Sequence, residues 1–129
     1  MLKQRSWFLL AIAYTVFVFV ISLIKINKPV EVKISHFDKL VHVGIYFIFT
    51  LVWFMFFVKN DIKQFFFKAI VKASVFAFVT GILIEFLQDC NPNARSGDVK
   101  DVIANGIGIF IAVLFVSQVK KYHALNSVK

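Results

Sequence analysis

Cysteine is nearly absent from this 129-residue chain: Cys90 stands alone, so no intramolecular disulfide is possible. A lone thiol of this kind is expected to be buried. Acidic residues are also scarce, seven against fifteen Lys and Arg. Charge of either sign is missing from whole stretches. Residues 7–24 and 102–119 carry none, residues 40–58 only His42, and residues 73–87 only Glu85. There is no HExxH element, no Ser/His/Asp order and no phosphate-cradling glycine loop. Those absences remove the usual signatures of zinc proteases, triad hydrolases and nucleotide-binding domains. No internal repeat or low-complexity segment is present.

What remains is apolar. Hydrophobic residues make up 60% of the chain and mean hydropathy is +0.80, above the roughly half-apolar average of soluble domains. The excess is gathered into four runs, each long enough to cross a hydrocarbon core of about 30 Å as a helix. A soluble helical bundle would need polar faces, and these runs have none. The fold expected is all-α: a single-domain polytopic membrane bundle with helices over about 7–24, 36–58, 64–88 and 99–119. The first run follows Lys3 and Arg5, but it is too long for a signal-peptide core and no A-x-A site follows. It reads as a retained anchor.

The net charge of +8 is not a nucleic-acid footprint, because the lysines bracket the apolar runs as interfacial anchors do. Lys3, Arg5, the lysines of 59–72 and Lys120, Lys121 and Lys129 outnumber Lys and Arg on the opposite side, which predicts cytoplasmic termini. Glu31, Asp38, Glu85, Asp89, Asp98 and Asp101 then all lie toward the outer side, leaving only Asp61 inside. Polar chemistry is expected at that outer end.

Helical spacing sorts the polar residues into stripes. Asp38, His42 and Tyr46 recur every four residues at the start of the second run, and Ser35 with Asp38 resembles a capping box. Gly81, Glu85 and Gln88 share a face of the third. Asp101, Asn105, Gly108 and Ala112 share a face of the fourth, a polar stripe that becomes small and suits close helix packing. Between them, residues 89–97 form a polar turn broken at Asn91-Pro92, with Arg95 and Ser96-Gly97 before Asp98. Residues 25–33 alternate like a short extended interfacial piece, Asp61 with Gln64 suggests another cap, and Phe65, Phe66 and Phe67 suit the headgroup level. The tail beyond Lys120 is expected to be loose. Trp53 is assigned no function.

Each polar residue also has an ordinary structural reading. Asp38, Asp98 and Asp101 sit where acids favourably cap helices. His42 and Tyr46 fit an interface, and Asn105 fits a helix–helix hydrogen bond. Glu85 is the hardest to place, because a carboxylate in an apolar run requires a partner or a task. A Glu85–Arg95 ion pair is the leading structural account. Asp38 and His42, with Glu85 opposite, have ligand chemistry for a divalent ion, but no second histidine accompanies them, so no metal and no cofactor is assigned.

The pattern Asp38-Lys39-x-x-His42-x-x-x-Tyr46, Glu85-x-x-Gln88 and Arg95-Ser96-x-Asp98-x-x-Asp101-x-x-x-Asn105-x-x-Gly108 resembles VanZ-like membrane proteins over roughly residues 36–112. The resemblance implies a small multi-pass protein of the bacterial inner membrane. It also implies a site built from the matching residues, and a link at family level to reduced susceptibility to teicoplanin, a lipid-tailed glycopeptide. Ile84 stands before Glu85 where many relatives show a second acid, which weakens any paired-carboxylate mechanism.

The function expected is an outward-facing site that binds or modifies an amphiphilic cell-envelope molecule, with membrane lipids as neighbours and a lipid-linked or amphiphilic ligand as partner. The alternatives are a membrane enzyme of lipid-carrier or glycolipid chemistry, with His42, Glu85 and Asp101 as candidate catalytic groups, and a purely structural membrane protein. A transporter ranks last, because Glu85 lies near a helix end and not at mid-depth.

Overall fold

A computed structural model describes residues 4–24, 37–58, 62–90 and 98–126. All of the regular structure among them is helical: α1 (Gln4–Leu23), α2 (Phe37–Phe57), α3 (Ile62–Cys90) and α4 (Val99–Asn126). Each contains a stretch long and apolar enough to span a bilayer, so the chain is a multi-pass membrane protein. In hydrocarbon a helix satisfies its own backbone, which is why continuous apolar runs of this length take no other form. The interfacial piece at 25–33, the Ser35 cap, the Asp61 cap and the turn with Asn91-Pro92, Arg95 and Ser96 lie outside the described residues.

The exposure pattern is that of a bundle in lipid. Large apolar side chains such as Leu9, Val16, Val75, Val79, Phe110 and Leu114 point outward, while Ala11, Ala69, Ala73, Ala77 and Ala112 are buried between helices. Lipid tails are as apolar as leucine, so burial of greasy surface drives little association here. Close packing of small residues and interhelical hydrogen bonds hold such a bundle. Helix α2 is the hub, packing against α1, α3 and α4, whereas α1 and α4 do not meet among the described residues.

Gly108 sets the α2–α4 approach. A Cβ there would strike the Val43 carbonyl and come within 3.0 Å of the Phe47 nitrogen, so the two backbones touch where only glycine fits. Away from the polar end, Trp53 is buried against Phe76 at 4.4 Å between ring centroids and donates from its indole nitrogen to Thr15 Oγ1 at 3.1 Å. Phe66 is buried against Phe54 and beneath the Lys120 ammonium, while Phe67 faces outward.

Two expectations change. Helix α4 runs past Lys120 to Asn126, so that part of the tail is ordered helix. Cys90, expected to be buried, is exposed at the last residue of α3, because the stripe that faces inward ends with Gln88.

Candidate functional site

The C-terminal ends of α1 and α3 and the N-terminal ends of α2 and α4 lie at one end of the bundle, and the polar stripes meet there. Helix periodicity explains why. Tyr46 on α2, Glu85 and Gln88 on α3, and Asp101 and Asn105 on α4 are all buried, each with no more than 7% of its surface exposed. Asp38 and His42, nearer the helix end, are partly covered.

The centre of the cluster is Asp101, whose side chain is almost fully enclosed. Its Oδ1 takes the Lys39 ammonium in a close ion pair, and its Oδ2 faces His42 Nε2 at 3.5 Å. The other ring nitrogen of His42, Nδ1, lies 3.0 Å from Asn105 Oδ1. Lys39 also reaches Asp98 Oδ2 at 2.9 Å and Asp38 Oδ2 at 3.9 Å, so one ammonium ties the first turn of α2 to the first turn of α4.

Asp98 does three things at once. Its Oδ1 accepts from the Lys100 backbone N–H at 2.9 Å, capping α4. Its own backbone N–H donates to Glu85 Oε2 at 2.9 Å, which fastens the start of α4 to the end of α3. Its Oδ2 holds Lys39. The Lys39 hydrogen bond, followed by the Lys100 N–H, keeps the Asp98 carboxyl below the ordinary range, against a smaller opposing push from desolvation.

The remaining residues divide by depth and direction. Tyr46 lies one turn below His42, with its ring 3.3 Å from where a Gly81 Cβ would sit; Asn105 Nδ2 is 3.1 Å from that same point. The bare Gly81 thus makes room for a tyrosine and an asparagine side by side. The Tyr46 hydroxyl is buried and has no hydrogen-bond partner among the described residues. Phe49 stacks beneath the Tyr46 ring at 5.8 Å and continues onto Phe76, giving the polar layer an aromatic floor. Gln88 turns elsewhere: its amide donates to the Ser22 carbonyl at 2.7 Å and secures α1. Gly108 is a packing contact one turn deeper. Arg95 and Ser96, including the proposed Glu85–Arg95 pair, lie outside the described residues.

Lys39 is the residue that sequence reasoning undervalued. As a lysine just ahead of an apolar run it resembles any interfacial anchor. Its position three before His42 was the available signal, because that spacing puts both on one helix face. Chemically, the cluster presents a cation, several carboxylate oxygens and an oriented imidazole, with a buried phenol one turn deeper. A family model described as VanZ/LLP1 matches residues 3–120. Neither a curated protein nor a solved structure matches the chain.

Proposed function

The chain belongs to the VanZ/LLP1 family, known for glycopeptide resistance, and from that premise we propose that its polar layer binds an amphiphilic molecule of the cell envelope. The observation that carries this reading is the convergence of Lys39, His42, Glu85, Asp101 and Asn105 at one depth near one end of an otherwise apolar bundle. Polar groups buried in a membrane protein are costly and are retained where something is bound or moved. A ligand with a polar head and an apolar tail fits a polar layer at such a depth. For the tail, a groove of about 370 Å³ runs along the α3–α4 seam past Phe78, Gly106 and Phe110.

The lysine asymmetry favours cytoplasmic termini in a bacterial inner membrane, which puts this end of the bundle at the outer leaflet, where lipid-linked intermediates and lipid-tailed glycopeptides meet the membrane. The competing reading is structural: Glu85 capping Asp98 and Lys39 bridging Asp98 to Asp101 are the bonds a helix clamp would make.

Susceptibility separates the two. Cells expressing the protein are challenged with a lipid-tailed glycopeptide, alongside variants His42→Ala, Glu85→Ala and Asp101→Ala matched for membrane abundance. Loss of protection at normal abundance supports binding. Protection that persists in all three, or that falls only in step with protein level, rejects it.

A further inference from the structure

We infer that Asp38, His42 and Asp101 form a site for one divalent transition-metal ion at the mouth of the polar layer. One ligand atom from each lies within 4.8 Å of the others. Bonds of about 2.1 Å hold two donors on one ion at most about 4.2 Å apart, so the three need close by only roughly half an ångström. Asp38 and His42 are one turn apart on α2, and Asp101 projects from the first turn of α4, so two rigid elements present the set.

The orientation of His42 is the sharper observation. Nδ1 meets the side-chain oxygen of Asn105, and an amide oxygen can only accept. A ring proton on Nδ1 meets that oxygen, and Nε2 faces Asp101 Oδ2 at 3.5 Å. In the neutral ring with its proton on Nδ1, Nε2 carries the lone pair that a metal takes, beside the carboxylate oxygen of a second ligand. A metal-bound histidine is held in this way, its far nitrogen fixed by an outer oxygen that sets the tautomer.

A second observation lies one turn deeper. The Tyr46 hydroxyl is buried without a hydrogen-bond partner among the described residues, and its ring flanks Asn105 at Gly81. Side chains on a helix lean toward its N-terminus, so this phenol is directed at the end of α2 that carries His42 and Asp38. A buried hydroxyl left unmade is expensive. An ion with three protein ligands keeps water in its open positions, and such water would give the phenol a partner.

Lys39 is the competitor. Its ammonium already sits against Asp101 and 2.9 Å from Asp98, so the pocket accepts positive charge at this point. A lysine is a mobile point charge and can retire to the half-exposed Asp98 when an ion enters. Two carboxylates and one imidazole suit Mn²⁺, Fe²⁺ or Zn²⁺. The third ligand is Asp101; Glu85, the one suggested by the sequence, is engaged with the Asp98 N–H. None of these steps depends on an amphiphile, and failure here leaves the amphiphile reading standing.

The test is Mn²⁺ titration of the metal-stripped, detergent-purified protein followed by electron paramagnetic resonance, with Zn²⁺ as competitor. One saturable Mn²⁺ per chain is expected, displaced by Zn²⁺ and lost in Asp101→Asn and in His42→Gln, the latter included in case Asp101→Asn does not fold. Asn105→Leu should weaken binding about 10- to 100-fold by releasing the ring, and Lys39→Met should tighten it. Absence of saturable binding in both the unaltered protein and Lys39→Met overturns the inference. So does binding that survives His42→Gln undiminished, since exposed carboxylates alone would then account for it.

Discussion

Asp101 concentrates the residue-scale chemistry. Its carboxylate is enclosed and shared between the Lys39 ammonium and the His42 ring. Removing one member of a buried ion pair typically costs about 3–5 kcal/mol because the other is left behind. Lys39 retains Asp98, so Asp101→Ala should cost toward the lower end of that range, read as a fall in unfolding temperature in detergent. Asp98 carries a pH signature. Its carboxyl is held below the ordinary range, so its contribution to stability is complete above the unfolded value of about 4 and disappears as pH falls through the folded value. Thermal stability should therefore decline on the acid side, and Asp98→Asn should flatten that decline while lowering stability near neutrality. An unchanged acid limb in the variant would mean that the Lys39–Asp98 contact contributes nothing. The stripes containing these residues were readable from spacing alone, because a four-residue interval places side chains on one face. Lys39 was not, since an anchor lysine and an ion-pairing lysine look alike until α4 is beside it. The Glu85 bond to the Asp98 N–H was equally hidden: it depends on where the connection through 91–97 delivers the start of α4.

At the scale of elements, the bundle is held by contact geometry and a few interhelical bonds. The α2–α4 seam depends on Gly108, where backbone meets backbone, whereas a Cβ on Gly44 would meet nothing within 4 Å. Gly108→Ala should therefore destabilise by about 1–3 kcal/mol, the usual cost of overpacking. Gly44→Ala should be neutral or stabilise by up to about 1 kcal/mol, the helix-propensity gain. Equal effects in a detergent unfolding assay would mean that the seam is not as tight as described. Helix α1 is held differently, through the Gln88 amide on the Ser22 carbonyl, the Tyr14 hydroxyl on the Ile45 carbonyl at 3.1 Å and Trp53 on Thr15. Gln88→Leu should loosen α1 while leaving the Asp101 cluster intact, seen as faster amide exchange confined to the end of α1. The four helices themselves were plain from length and hydropathy. The extension of α4 to Asn126 was not, because Lys120 and Lys121 read as the edge of the membrane although nothing in them ends a helix.

The whole molecule is an apolar shell around a polar layer set toward one end. That asymmetry is the reason to expect a ligand that is itself polar at one end. Orientation is a separate matter, and the exposed Cys90 reports on it. A membrane-impermeant maleimide should label Cys90 in intact cells if the polar end faces outward, and only after permeabilisation if it faces the cytoplasm. Bound ligand is the more direct question. The decisive measurement is native mass spectrometry of the protein released from mild detergent, comparing the unaltered chain, Gly44→Ala, His42→Ala and Asp101→Ala. Retention of a defined amphiphile by the first two and its loss from the last two is the predicted result. Equal retention, or none in any of the four, would contradict a binding role for the polar layer.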